Sequence, residues 1–134
     1  MNAALCDVLS LKYDLGARTR KAYAEGNKDA LKAISEDYAL TVKKLEIFHE
    51  KFSYLWSKEN KPHGFEVQDL RIGGLIMRLN SCKKRIDTYI AGDISTIEEL
   101  NDNILDWFGG VENYDQSNYP VRNQWSYIAS PSVI

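Results

Sequence analysis

Hydrophobic residues recur every three or four positions over most of this chain, a spacing that places side chains on one side of an α-helix. The pattern is most regular after Asn27, where only Thr41 interrupts the apolar series. Its positions are Leu31, Ile34, Tyr38, Thr41, Leu45, Phe48, Phe52 and Leu55. We expect one long helix here, with Asn27 as its N-cap and an end before Pro62.

Three further segments also predict helices, and glycines mark two of their ends. Gly26 ends the first segment, and Gly92 ends the third, since glycine readily takes the left-handed backbone of a helix end. Ser95 and Glu98 have the spacing of a capping box at the start of the fourth. The first segment is the least regular, with apolar positions Leu5, Val8, Leu9, Tyr13, Leu15 and Tyr23. The predicted helices cover about residues 3–25, 27–57, 65–91 and 96–108.

Short connections between the helices make consecutive helices antiparallel neighbours. The sequence therefore predicts an all-α fold, an antiparallel bundle of three long helices and one shorter helix, in a single domain over residues 1–134. Residues 109–134 have no helical period and form an irregular, aromatic-rich C-terminal tail. We expect the tail to dock, because its aromatic side chains carry much apolar area, and Trp125 is a candidate exposed platform for a sugar.

Composition and charge exclude some classes of partner. A formal net charge of −2, with Lys and Arg spread among Asp and Glu, argues against a nucleic-acid-binding surface. No apolar run is long enough to span a membrane. Cys6 and Cys82 lie inside helical patterns, which favours two reduced, buried thiols over a disulfide and suggests a cytoplasmic location.

The candidate chemical groups are few. His49 lies near Glu46 and Glu50, but a carboxylate-bridged metal site needs a second His motif, so we expect a surface histidine and no metal or other cofactor. Glu66 and Asp69 share a helix face, yet nearby cations would lower their pKa values, which disfavours acid–base catalysis. We therefore expect no catalytic residue in this chain.

Two glycines in the middle of a predicted helix need a separate explanation. Gly73 and Gly74 cost roughly 1–2 kcal/mol of helix propensity. They do not follow a strand, so they do not form a phosphate loop. We expect tight packing against another helix here, with a ligand site as the alternative.

The string ENKPHGFEVQDLRIGGL, residues 59–75, resembles a stretch in the helical C-terminal region of certain bacterial glycoside hydrolase family 20 enzymes, the β-N-acetylhexosaminidases. The preceding FHEKFSYLW and the closing NQWSYIASPSVI extend the resemblance over most of the chain. Such enzymes hydrolyse substrate on a (β/α)8 barrel, where an adjacent Asp-Glu pair assists the 2-acetamido group of the sugar. This chain contains no Asp-Glu dipeptide and is too short for that barrel.

The resemblance thus implies a non-catalytic accessory domain that packs against a barrel of the same polypeptide. It gives the polar string a role at the interface between the two domains. The predicted interface residues are Glu59, Lys61, Glu66, Gln68, Asp69, Arg71 and Trp125. The alternative for these residues is a capping and ion-pair cluster internal to the bundle.

Other functions remain open at this point. A free-standing helical module could bind a partner helix in an apolar groove. The tail aromatics could bind a glycan, and a homodimer is also compatible with the sequence.

Overall fold

The computed structural model describes residues 1–61 and 63–102, and these residues form helices without any strand. The helices are α1 Asn2–Lys12, α2 Leu15–Ala24, α3 Lys28–Glu59, α4 Glu66–Ala91 and α5 Glu98–Asn101. The predicted all-α bundle is confirmed. The predicted tail over residues 109–134, with Trp125, lies outside the described residues.

Helix α3 is the centre of the bundle, and α1, α2 and α4 all pack against it. Its contacts with α4 run in reverse order along the chain: Ser35 bonds to Asp87, whereas His49 bonds to Asp69. These two helices are therefore antiparallel. The shared core is formed by Val8, Leu15, Ala22, Leu31, Ile34, Tyr38, Val42, Leu45, Ile72, Leu79, Ile86 and Ile97.

The first helix is divided, which corrects the prediction of one helix over residues 3–25. Helix α1 ends at Lys12 and α2 begins at Leu15, with Asp14 at the N-cap position of α2. The Asp14 carboxylate accepts from Arg18 Nε at 3.0 Å instead of capping a backbone N–H. Asp and Gly are weak helix formers, so Asp14 and Gly16 make this position the easiest place to interrupt the helix.

The buried face of α1 and α2 agrees with the prediction at Val8 and Leu15 and differs from it at other positions. Leu5, Leu9 and Tyr13 are exposed, whereas the small residues Ala4, Thr19 and Ala22 are buried. The buried residues of these two helices are Ala4, Val8, Leu15, Thr19 and Ala22. Small side chains allow close approach of two helices, so they are buried in place of the larger residues beside them.

The ends of the long helices follow the sequence signals. Asn27 Oδ1 accepts from Ala30 N at 3.0 Å, which confirms the predicted N-cap of α3. Gly92 ends α4 in the left-handed conformation, with φ +87°. Thr41 lies fully buried within the apolar series, because its hydroxyl donates to the Asp37 carbonyl at 2.7 Å.

Helix α5 begins later than the predicted Ser95 or Thr96. Ile97 occupies the N-cap position, and no side chain caps the helix. Ile97 is buried, and its backbone N–H donates to the Tyr23 hydroxyl at 3.0 Å. Burial of this apolar side chain, together with the bond to α2, outweighs the capping signal. The predicted continuation to residue 108 lies outside the described residues.

Both cysteines are free, and one of them is not in the core. Cys82 is half-buried against the core cluster, whereas Cys6 is exposed. The prediction of two buried thiols is therefore wrong for Cys6, because α1 presents a neighbouring face to α3.

Candidate functional site

Aromatic side chains hold the connection between α3 and α4. The Phe65 ring lies 5.3 Å from Phe52 and 5.7 Å from Trp56, measured between ring centroids. Trp56 Nε1 also donates to the Lys61 carbonyl at 3.0 Å. Packing of these rings buries apolar area at the end of the bundle. It holds in place the connection in which the polar string, residues 59–75, begins.

Glu66 caps the turn that leads into α4. Its Oε2 accepts from Gly64 N at 2.7 Å, and Gly64 has φ +98°. A carboxylate at the N-terminal turn of a helix is also favoured by the helix dipole. This contact is internal to the bundle. It agrees with the alternative to the interface prediction, in which these polar residues form a capping and ion-pair cluster within the bundle.

Asp69 joins α4 to α3 through a histidine. Its Oδ1 lies 2.6 Å from His49 Nε2, and the two side chains are 55% and 35% exposed. The His49 ring also lies 5.5 Å from the Phe65 ring. His49 is therefore a partly exposed histidine whose two contacts, with the Asp69 carboxylate and the Phe65 ring, both lie within the bundle.

The remaining members of the predicted interface are distributed around the end of the bundle. Glu59 and Lys61 are exposed, whereas Gln68 and Arg71 are half-buried. Asp69 and Arg71 are two positions apart in α4, which places them about 200° apart around the helix axis. The two residues therefore cannot face one flat partner surface together, and the role of the set as an interface stays a prediction.

The glycine pair does not mark tight packing, which corrects the prediction for α4. Among the described residues, no atom lies within 4 Å of the position that a Cβ would take at Gly73 or Gly74. Gly73 instead borders a shallow depression beside the His49–Asp69 pair. The described bundle accordingly offers no contact that requires glycine at either position.

A second site, not recognised from the sequence, lies between α2, α3, α4 and α5. It is a cavity of about 250 Å³. Its lining includes Thr19, Tyr38, Arg78, Cys82, Arg85 and Leu100. Arg20 holds its α5 wall by donating to the carbonyls of Glu99, Leu100 and Asp102 at 3.0–3.2 Å. The sequence offered one signal for this cavity: Arg78 and Arg85 are seven residues apart, which places both on one side of α4.

The chemistry of the described residues is limited. Within residues 1–61 and 63–102, no three His, Cys, Asp or Glu side chains come together in a way that could hold a metal ion. In the same ranges, no helix combines the length and the apolar character needed to cross a membrane. The prominent features of the described residues are instead the aromatic packing at the α3–α4 connection, the cavity and several exposed apolar side chains.

Comparison with protein families decides what this bundle is. The family model described as the glycoside hydrolase 20C C-terminal domain matches residues 1–118. The chain belongs to this family. Comparison with curated proteins finds no match.

A glycoside hydrolase 20C C-terminal domain is part of a glycosidase, and it is associated with a catalytic domain in the same polypeptide. The match begins at residue 1 and covers all the described helices. The resemblance carried by residues 59–75 is therefore confirmed at the level of the family.

Proposed function

We propose that this chain is a non-catalytic accessory domain of a β-N-acetylhexosaminidase and that it packs against the enzyme's catalytic (β/α)8 barrel. The observation that carries the proposal is the family match over residues 1–118. In this arrangement hydrolysis of the terminal N-acetylhexosamine takes place on the barrel, and the bundle stabilises the barrel or shapes the rim of its active site.

The chain's own chemistry supports the non-catalytic role. The carboxylates of the polar string have local partners: Glu66 accepts from Gly64 N, and Asp69 contacts His49. Both carboxylates are exposed, and each is engaged by a group of the bundle itself.

The interface that we propose includes the exposed residues of the α3–α4 connection, Glu59 and Lys61, with Gln68 and Arg71, which lie within about 60° of each other around α4. Asp69 lies on another side of α4 and contacts His49. Charged groups at a domain interface fix orientation more than they add affinity. The aromatic packing of Phe65 and Trp56 would keep these groups in place before the domains meet. Trp125 belongs to the proposed set through the sequence resemblance alone.

The test compares three proteins: the full-length enzyme, the enzyme shortened to end before residue 1, and the present chain alone. We expect the isolated chain to leave 4-nitrophenyl N-acetyl-β-glucosaminide and the corresponding galactosaminide intact. We expect the shortened enzyme to unfold at a lower temperature than the full-length enzyme. Substitution of the barrel's Asp-Glu pair in the full-length enzyme is the control that locates the activity.

Two results would contradict the proposal separately. Hydrolysis by the isolated chain would show that the bundle is catalytic. A shortened enzyme with unchanged activity and an unchanged unfolding temperature would show that the bundle does not support the barrel.

A further inference from the structure

The cavity between α2, α3, α4 and α5 has a buried inner end and a charged opening. Four residues of its lining are 6% exposed or less: Thr19, Tyr38, Ile86 and Ile97. The charged residues of its lining are exposed, and we call them the rim: Arg78, Arg85 and Glu99. A mostly apolar cavity with a few polar groups is the usual composition of a small-molecule site.

The rim carries a net charge of +1, from two arginines and one glutamate. Arg85 Nη2 lies 3.7 Å from Glu99 Oε2, so these two charges offset each other. Arg78 forms no ion pair within residues 1–61 and 63–102. Arg20 adds a positive charge beside the α5 wall, where its guanidinium donates to the Leu100 carbonyl at 3.2 Å. The rim therefore favours a monoanion, and the fork of N–H donors of an arginine matches a carboxylate.

The polar groups of the inner end have the opposite preference. Thr19 donates its proton to the Leu15 carbonyl, and Tyr38 donates its proton to Thr19 Oγ1. Both hydroxyl protons are thus engaged, so the two oxygens can only accept a further hydrogen bond. A ligand group that reaches them must be a donor, such as a hydroxyl. The cavity accordingly distinguishes the two ends of a ligand.

The volume of the cavity limits the size of that ligand. It measures about 250 Å³, below the roughly 300–1,000 Å³ of sites for drug-sized ligands. An engineered apolar cavity of roughly 150 Å³ in another protein accommodates benzene. The present cavity therefore has room for about one six-membered ring with two small substituents.

We infer that this cavity binds a small organic acid, with its carboxylate at Arg78, its apolar body against Ile86 and Ile97, and a hydroxyl group toward Tyr38. The inference goes beyond the proposed function, because hydrolysis is assigned to the barrel and every group that forms the cavity belongs to the bundle. It also gives the cavity an occupant whose charge agrees with the rim.

The test uses the two cysteines of the chain, which differ in their relation to the cavity. Cys82 lines the cavity, whereas Cys6 is exposed on α1 and serves as the internal control. Alkylation of both thiols by iodoacetamide in the full-length enzyme is followed by mass spectrometry, with 4-hydroxybenzoate as the ligand. At ten times the dissociation constant, we expect Cys82 to react about tenfold more slowly, because about a tenth of the sites remain free. The rate for Cys6 should not change.

Two related compounds test which groups of the ligand the cavity recognises. 4-Hydroxybenzamide has nearly the same shape without the negative charge, and benzoate lacks the hydroxyl group. We expect the amide to leave Cys82 unprotected at the same concentration, and benzoate to protect it with a higher dissociation constant. Equal protection by the acid and the amide would overturn the inference. Unchanged alkylation of Cys82 at tens of millimolar 4-hydroxybenzoate would also overturn it.

A matched pair of variants tests the role of Arg78. Arg78→Gln removes the unpaired charge of the rim, and Lys84→Gln makes the same change of charge at an exposed position of α4 outside the cavity lining. We expect Arg78→Gln to raise the dissociation constant of 4-hydroxybenzoate about tenfold or more, since a hydrogen bond to a charged group is lost. Lys84→Gln should leave it unchanged, and both variants should keep the circular dichroism of the parent. Equal effects of the two variants would overturn the inference.

Two further outcomes would assign the cavity to a different occupant and also overturn the inference. One is a Cys82 that reacts in the isolated bundle but not in the full-length enzyme without ligand, which would show that the catalytic domain covers the cavity. The other is protection of Cys82 by N-acetylglucosamine as strong as that by 4-hydroxybenzoate, which would identify a site for a neutral sugar. The absence of hexosaminidase activity in the full-length polypeptide would instead overturn the proposed function.

Discussion

The Tyr38 hydroxyl lies 3.1 Å from Thr19 Oγ1 and joins α3 to α2 inside the core. Thr19 donates its own proton to the Leu15 carbonyl at 2.7 Å, so Tyr38 is the donor to Thr19. Burial raises the pKa of Tyr38, because it disfavours the charged phenolate. The pair thus connects two helices through a neutral, fully satisfied hydrogen bond.

Replacing Tyr38 by Phe should lower the free energy of unfolding by about 1 kcal/mol, since the ring still fills its place but the bond to Thr19 is lost. Urea unfolding followed by circular dichroism measures the difference. Tyr13→Phe is the matched control, because Tyr13 is 78% exposed, and it should change stability by less than about 0.5 kcal/mol. Equal effects of the two substitutions would show that the bond between Tyr38 and Thr19 does not stabilise the fold.

Asp87 should make stability depend on acid pH. Although desolvation raises the pKa of this carboxyl group, hydrogen bonds from Lys83 and Ser35 outweigh that effect and hold the pKa below its ordinary value of 3.8. The native state thus binds fewer protons than the unfolded state in this range. The contribution is present above about pH 4, near the unfolded value of 3.8, and is lost as the pH falls through the lower native pKa.

Asp87→Asn should therefore reduce stability at neutral pH and flatten its decline below about pH 4. Urea unfolding at a series of pH values checks both effects. Asp7→Asn is the control, because Asp7 is exposed and its carboxylate forms no ion pair among the described residues. If Asp87→Asn gave the same pH profile as Asp7→Asn, the interaction with Lys83 and Ser35 would contribute nothing.

Gly74 within α4 and Gly92 directly after its last residue should respond to alanine in opposite directions. Gly74 is helical with open space around it, so Gly74→Ala should raise the free energy of unfolding by up to about 1 kcal/mol. Gly92 has φ +87°, which strains an L-residue, so Gly92→Ala should lower it by about 1 kcal/mol. Thermal unfolding of both variants measures this. A loss of stability in Gly74→Ala would reveal a close contact at Gly74.

Arg71→Ala in the full-length enzyme tests the interface at the α3–α4 connection. We expect lower hydrolytic activity with an unchanged helical circular dichroism spectrum, because a charge at the interface orients the two domains. Arg78→Ala, one heptad further along α4, is the control and should retain activity. Unfolding of the bundle by Arg71→Ala would support the internal role of the polar cluster instead.

The long helices could be predicted from the sequence because their signals are local and agree with one another. Asn27 caps α3 and Gly92 ends α4 as their residue types indicate. The face of α1 could not be predicted from its large apolar residues. Ala4 is buried where Leu5 and Leu9 are not, since the approach of α3 favours small side chains and depends on tertiary packing.

The candidate site was less predictable than the fold. The polar string identified the family, yet the bonds from Glu66 to Gly64 N and from Asp69 to His49 join residues whose proximity depends on the turn and on two helices. The cavity beside Tyr38 requires four helices to assemble.

The most direct test of the accessory-domain proposal is to sequence the DNA immediately upstream of the codon for Met1. The proposal predicts a continuous open reading frame that encodes a (β/α)8 barrel with an adjacent Asp-Glu pair at the carboxyl end of a strand. A stop codon followed by a ribosome-binding site directly before Met1 would contradict it, because the bundle would then be made without a catalytic domain.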